Sequence, residues 1–290
     1  MTIKEVYQNC VDRLSNHYDD AESHNIIDIL FEYIFNFNKA ERIINNNTEV
    51  DSAAQEKISE AMSKLLAYQP IQYVIGRTFF WKYYFFVDEN VLIPRPETEE
   101  LVKHIIDDIR STKRGEDNLK ILDIGTGSGC IAISLKKELP NSEVYAIDIS
   151  EHAINVAKQN ANKLDAEINF LNADIFSNHS LFENHSFDII VSNPPYVTEN
   201  EKQFMNKNVL LYEPTKAIFV SNEQPIIFYK RIADLSNRLI KPNGHVWLEI
   251  NPLYSEETKE YFKKNVNNNL SIYLDFNRKK RILHIINKNN

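Results

Sequence analysis

Between Thr2 and about Gln69 the chain contains neither proline nor glycine, and apolar residues recur at helical spacing, as at Ile26, Ile27, Leu30, Ile34 and Phe35. Residues three and four apart share one helix face, so this stretch predicts a small bundle of about four helices, each with one buried side. Asn45, Asn46 and Asn47 interrupt it as a loop, and Asp51 followed by Ser52 is suited to cap the helix running to Tyr68. Pro70 ends the pattern. Ile71 to Val91 is then dense in aromatic and β-branched residues, among them Phe79, Phe80, Trp81, Tyr83, Tyr84, Phe85 and Phe86. This composition predicts a β-hairpin connector whose rings are packing material rather than a base-stacking platform.

After Pro94-Arg95-Pro96 the pattern changes to short apolar runs alternating with helical segments. Residues 119–124, 143–148, 167–172 and 187–192 read as strands, separated by helices near Gly129–Leu139 and Ser150–Lys163. Further strands are expected at 244–250, 270–276 and 281–286, with a helix near Tyr254–Lys264 and the polar turn Asn277–Lys280 making the last two strands antiparallel. Alternation of this kind implies parallel strands with right-handed helical crossovers. The expected fold is therefore α/β: a doubly wound, mostly parallel seven-stranded sheet. Three segments follow: a helical domain over 1–69, a hairpin connector over 70–96, and a sheet domain over 97–290.

Composition narrows the function classes. Apolar residues make up 43% of the 290 residues and charged residues 26%, ordinary values for a chain with a sizeable core. A net charge of -8 argues against indiscriminate binding to nucleic acid, which depends on neutralising phosphates. Only Cys10 and Cys130 are present, with neither metal-ligand spacing nor a disulfide framework, which suits a reducing cytoplasm. The N-terminus lacks the basic flank and apolar core of a signal peptide, and no apolar run reaches membrane-spanning length. The eight histidines, at 17, 24, 104, 152, 179, 185, 245 and 284, show no ligand spacing, so no metal is expected.

Chemistry enters directly after the first sheet strand, at Gly125-Thr126-Gly127-Ser128-Gly129. Such a turn lets backbone approach a ligand before a helix begins. The second strand ends in Asp148, 23 residues after Gly125, where a carboxylate can accept hydrogen bonds from both hydroxyls of a ribose. Asp174 follows the third strand, positioned to face an adenine ring, with Ile175 and Phe176 offering apolar contact. Together these stations describe a nucleoside cofactor. The ribose carboxylate serves a nicotinamide cofactor and S-adenosylmethionine alike, so the fourth strand decides between them.

That strand ends in Asn193-Pro194-Pro195-Tyr196. An amide nitrogen is a poor nucleophile because its lone pair is delocalised into the carbonyl. The Asn193 side-chain oxygen and the Pro194 carbonyl can each accept one hydrogen of an NH2 group, stabilising positive charge that develops on nitrogen as a sulfonium methyl arrives. The two proline rings restrict the backbone and remove competing donors. Tyr196 is suited to stack on a flat amide or exclude water.

The glycine turn followed by Asn193–Tyr196 resembles the amino-methylating branch of the class I S-adenosylmethionine-dependent methyltransferases. With Ile93-Pro94-Arg95-Pro96-Glu97-Thr98-Glu99, the Gln72–Gly76 segment and the helical N-terminus, nearly the whole chain resembles the peptide chain release factor N(5)-glutamine methyltransferases. The resemblance implies methyl transfer to the glutamine of the Gly-Gly-Gln loop in class 1 release factors, with S-adenosylhomocysteine as product. It implies that Asn193, Pro194, Pro195 and Tyr196 hold the substrate amide, with Asn193, Pro194 and Tyr196 carrying the catalysis. Cofactor contacts carry over to Gly125, Thr126, Gly127, Ser128, Gly129, Asp148, Asp174, Ile175 and Asn193. Arg95, Glu97 and Thr98 are expected at the cofactor mouth or at a helix start, and the helical domain is expected to help dock the release factor. Three positions depart from the family pattern: Ser221–Pro225 in place of a glycine-rich segment, Ile175 in place of an aromatic residue, and Asn251 in place of a glycine.

Two other functions share these motifs. An enzyme methylating the exocyclic amine of adenine or cytosine would use the same Asn-Pro-Pro-Tyr chemistry; the net acidity opposes it, and the basic run Arg278-Lys279-Lys280-Arg281 reads as a solvated turn. A non-catalytic S-adenosylmethionine-binding module would leave the intact tetrapeptide without a purpose. No stable nucleic-acid or membrane partner is expected.

Overall fold

A computed structural model describes residues 1–111, 118–177, 182, 186–266 and 268–288. Two compact units emerge: Met1–Arg77 with Asn206–Tyr212, and Thr78–Met205 with Glu213–Asn290. His179 and His185 lie outside the described residues.

The first unit contains α1 (Ile3–Leu14), α2 (Asp20–Phe35), α3 (Lys39–Ile44), α4 (Ser52–Leu66) and α5 (Ile71–Ile75). Local chemistry sets the helix starts. Thr2 and Glu5 form a reciprocal capping box on α1, Asn38 and Glu41 form one on α3, and the Asp51 carboxylate accepts from the Ala54 N–H at 2.7 Å to start α4. The apolar stripes meet in one core that includes Leu14, Ile27, Leu30, Phe31, Met62 and Leu65. Residues 71–75, expected in the connector as extended chain, instead form the helical turn α5. Pro70 precedes it, Gly76 ends it in the left-handed region at φ 66°, and Ile71 and Ile75, four apart, both reach the core. A β-rich composition does not prevent one turn of helix when its i and i+4 positions have a core to enter.

The second unit takes in all but Arg77 of the hairpin of β1 (Arg77–Phe80) and β2 (Tyr83–Phe86), followed by α6 (Pro96–Ser111). Then come β3 (Lys120–Ile124), α7 (Cys130–Glu138), β4 (Glu143–Asp148), α8 (Glu151–Lys163), β5 (Ile168–Asn172) and β6 (Phe187–Ser192). A short parallel pair, β7 (Val197–Thr198) with β8 (Phe219–Val220), follows β6; between them the chain runs through α9 (Lys207–Tyr212), which belongs to the first unit. The last elements are α10 (Ile227–Leu239), β9 (Ile240–Glu249), α11 (Ser255–Asn265), β10 (Asn268–Leu274) and β11 (Lys280–Asn287).

Seven strands form one sheet in the order β10-β11-β9-β6-β3-β4-β5. The pairs β9–β6, β6–β3, β3–β4 and β4–β5 are parallel, and β11 is antiparallel to both β9 and β10. This is the mostly parallel α/β sheet expected from the alternating pattern. A core on one face draws on α6, α7 and the hairpin residues Phe80 and Phe85, and a second core is built on α10 and α11. Coverage on both faces explains why the central strands are apolar runs rather than alternating ones. The chain winds from β3 outward to β5 and then returns to the other side of β3 with β6. Its direction therefore reverses between β3 and β6, and ligands of open α/β sheets bind beyond the carboxyl ends of strands at such a point.

Packing also unites residues that spacing kept apart. His245 of β9, His284 of β11 and Asp108 of α6 converge: Asp108 Oδ2 lies 2.8 Å and His284 Nε2 3.0 Å from His245 Nδ1, and His284 stacks on Trp247 with centroids 3.6 Å apart. No helix among the described residues is long and apolar enough to cross a membrane.

Candidate active site

The register of the parallel strands aligns the chemistry. Ile124 pairs with Ile147 and with Ser192, and Ser192 pairs with Leu248. The residues that follow Ile124, Ile147, Ser192 and Leu248 thus stand side by side, about 4.8 Å per strand step. They are the glycine turn, Asp148, Asn193 and Glu249.

In the turn, Gly125, Gly127 and Gly129 all have positive φ, at 74°, 53° and 82°, a region that other residues enter only at a cost. A methyl group added at Gly125 or Gly127 would meet nothing within 4 Å, whereas at Gly129 it would meet Ile133 Cδ1 at 2.9 Å and Ala157 Cβ at 3.1 Å. The first two glycines border open space, and the third lets α7 pack against α8. The Gly125 and Thr126 N–H groups both donate to the Ile147 carbonyl, at 2.8 and 2.9 Å, which ties the turn to β4. Beneath it the Thr126 hydroxyl donates to Asp123 at 2.7 Å; Asp123 is fully buried, which pushes its carboxyl up to about 7.

Asp148 accepts from the Gly127 N–H and from the Ser150 N–H, both at 2.9 Å. Burial raises its pKa, and these backbone donors oppose the rise. Asp174 lies beyond β5 and accepts from the Phe176 N–H at 2.8 Å. Ile175 is buried in the core, its carbonyl accepting from Arg231 Nε at 2.5 Å, while Phe176 is exposed and meets Phe228 edge-on.

Asn193 follows β6. Its Nδ2 donates to Thr98 Oγ1 at 3.1 Å, and the Thr98 hydroxyl donates to Glu249 Oε2 at 2.7 Å. Pro194 is buried, and Pro195 and Tyr196 are half-buried. The Tyr196 hydroxyl donates to Glu249 Oε1 at 2.9 Å and accepts from Arg281 Nη1 at 3.3 Å. Neither Asn193 Oδ1 nor the Pro194 carbonyl accepts a hydrogen bond from any described residue. Two acceptors of one short, proline-stiffened segment are therefore without a donor among the described residues.

Thr98 is 2% exposed and belongs to this buried network. Arg95 is held by Glu213 at 2.6 Å, and Glu97 is half-buried in the first turn of α6. Arg281 is likewise no part of a solvated turn. Its side chain is only 12% exposed and its Nε pairs with Asp275 at 3.1 Å, because the pairing of β11 with β9 brings it toward Tyr196.

The chain matches the PrmC N-terminal domain over residues 5–76 and a methyltransferase domain over residues 115–289. It is 42% identical to the release factor glutamine methyltransferase of Flavobacterium psychrophilum over 267 residues, covering 91% of this chain and 92% of that one. It belongs to the release factor glutamine methyltransferase family. The corresponding enzyme of Bacteroides thetaiotaomicron is 44% identical, covering 81% of this chain and 82% of its own. That of Streptococcus pneumoniae is 35% identical, covering 92% and 91%.

Against the expected family pattern, the departures have local consequences. Asn251, in place of a glycine, has an ordinary φ of -68° and uses its side chain: Nδ2 donates to the Tyr196 carbonyl at 2.9 Å and to Glu201 Oε2 at 3.0 Å. The Ser221–Pro225 segment is anchored by Asn222, whose Oδ1 accepts from the Asn200 N–H at 3.0 Å. Sequence reasoning missed Glu249, Arg281 and Asn251 as parts of the site. Among them only Glu249 carried a local signal, a lone carboxylate closing an apolar strand.

Proposed function

We propose that this protein transfers the methyl group of S-adenosylmethionine to the side-chain amide nitrogen of the Gly-Gly-Gln glutamine in class 1 peptide chain release factors, in the cytoplasm. The observation that carries the reading is the pair of acceptors to which no described residue donates, Asn193 Oδ1 and the Pro194 carbonyl, at the strand end beside the glycine turn. S-adenosylmethionine, when bound, supplies an electrophilic methyl group. The open space against Gly125 and Gly127 and the carboxylate of Asp148 suit its nucleoside, with Gly125–Gly129, Asp148, Asp174, Ile175 and Asn193 as the contacting residues.

Asn193 and Pro194 hold the glutamine NH2 through its two hydrogens. That contact orients the nitrogen and strengthens as positive charge develops there, so it favours the transition state over the ground state. Tyr196 walls the amide against water, its hydroxyl already taken by Glu249 and Arg281. The methylated nitrogen is far more acidic than the amide, and its surplus proton leaves to solvent. The helical unit is assigned to docking of the release factor.

Label transfer from methyl-labelled S-adenosylmethionine tests this, with a purified release factor, the same factor lacking the Gly-Gly-Gln glutamine, and a DNA and RNA panel as acceptors. Label on the intact factor alone is the expected result. Label on nucleic acid alone would replace the substrate assignment with an exocyclic amine.

A further inference from the structure

On the footing that Asn193 receives a substrate NH2 group, we propose that Glu249 is the positioning residue that sets the direction of the Asn193 amide, acting through Thr98. Glu249 closes β9 and is 1% exposed, and the pairing of Leu248 with Ser192 seats it next to the end of β6. Both of its oxygens accept from hydroxyls, Oε2 from Thr98 at 2.7 Å and Oε1 from Tyr196 at 2.9 Å. Its backbone carbonyl accepts from the Tyr229 hydroxyl at 3.2 Å. A single buried acid thus holds both ends of the Asn-Pro-Pro-Tyr segment, Asn193 indirectly and Tyr196 directly.

The direction of the amide follows from counting hydrogens. Burial raises the Glu249 pKa, and the Thr98 and Tyr196 hydroxyls and the Arg281 charge oppose the rise; as a carboxylate it only accepts, and a hydroxyl has one hydrogen to give. Thr98 commits that hydrogen to Glu249, so toward Asn193 it presents lone pairs alone. An amide beside it must then turn its NH2 inward, to the observed 3.1 Å contact, and its oxygen outward. With the opposite orientation, Asn193 would aim an NH2 group at the substrate NH2 and a lone pair at the lone pairs of Thr98. Arg281 supports the same polarity: by donating to the Tyr196 hydroxyl it leaves the hydrogen of that hydroxyl for Glu249.

Glutamine at position 249 breaks the pattern in either of its orientations. With its NH2 toward Thr98, the Thr98 hydrogen is released to seek the Asn193 oxygen and flips the amide. With its NH2 toward Tyr196, the tyrosine hydrogen loses its acceptor. Valine at position 98 keeps the volume of threonine and removes the relay, whereas serine keeps the hydroxyl.

The test compares the parent with Glu249→Gln, Thr98→Val and Thr98→Ser. The readouts are kcat on the acceptor that the parent labels, S-adenosylmethionine affinity by calorimetry, and the Asn193 side-chain amide resonances in 15N-labelled protein, assigned by their loss in Asn193→Asp. Glu249→Gln and Thr98→Val are expected to lower kcat roughly 10- to 100-fold, the scale of a small misplacement of a reacting group. Both are expected to move the Asn193 resonances and to leave cofactor affinity within about twofold. Thr98→Ser should restore both kcat and the resonances to near the parent. Unchanged resonances in Glu249→Gln and Thr98→Val would overturn the proposal, as would moved resonances with an unchanged kcat. A parent that labels no release factor defeats the substrate assignment alone, since the resonances still report whether Glu249 and Thr98 orient Asn193.

Discussion

Gly127 donates its backbone N–H to the Asp148 carboxylate at 2.9 Å, joining the turn after β3 to the end of β4. The other oxygen accepts from the Ser150 N–H, also at 2.9 Å, so the carboxylate is oriented before a ligand arrives. Asp148→Ala is expected to weaken S-adenosylmethionine binding about 10- to 100-fold, in line with the ~1.5–3 kcal/mol of hydrogen bonds to a charged group. Turnover at saturating cofactor should change much less. Calorimetry alongside kinetics checks this, and an unchanged Kd with a collapsed kcat would contradict the assignment.

The three turn glycines should separate into two kinds. Gly129→Ala adds a methyl 2.9 Å from Ile133 Cδ1 and 3.1 Å from Ala157 Cβ at φ 82°, so it should lower stability by about 2–4 kcal/mol and Tm by several degrees. Gly125→Ala and Gly127→Ala add one to open space and incur only the backbone cost, about 1–2 kcal/mol. They should lose cofactor affinity out of proportion to the change in Tm. Equal Tm losses at all three positions would show that the open space is not a ligand cradle.

Asn193→Ala removes one of the two acceptors to which no described residue donates. Methyl transfer should fall about 100- to 1,000-fold or more, as when one preorganised polar contact to a transition state is deleted. Cofactor affinity should stay within a few-fold because Asp148 and the turn remain. Full turnover by this variant would end the proposed mechanism.

Asp123 predicts a pH dependence of stability. Burial pushes its carboxyl from an ordinary 3.8 up to about 7, against the pull of the Thr126 hydroxyl. Between about pH 4 and about pH 7 the folded chain therefore keeps a proton that the unfolded chain has lost, and stability falls as pH rises through that window. The contribution is on the order of a few kcal/mol. Asp123→Asn should become progressively more stable relative to the parent across the window, measured by urea unfolding at several pH values. A difference that stays constant with pH would contradict it.

The alternation of apolar runs and helical segments was enough to place the seven sheet strands and the helices α7, α8 and α11 within a few residues; the central parallel strands stand out because strands covered on both faces must be apolar throughout. The helical turn at 71–75 escaped that reading. What makes it helical is a core waiting for Ile71 and Ile75, which no window of a few residues contains. Arg281 escaped for the same reason: its four-residue basic run looks solvated until β11 is laid against β9.

By itself the sequence determined the sheet, the left-handed glycine turn, the carboxylate ending β4 and the proline-stiffened segment ending β6. Each depends on interactions within a few residues: hydrophobic period, glycine's lack of a side chain and proline's locked φ. Only the tertiary structure decided which strand ends become neighbours. Thr98 meets Glu249 across 151 positions and Arg281 meets Tyr196 across 85, contacts that exist because the winding of the sheet reverses between β3 and β6 and β11 then packs along β9. The direction of the Asn193 amide belongs to this second class. A single side chain can point either way, and a buried carboxylate two hydrogen bonds distant selects one.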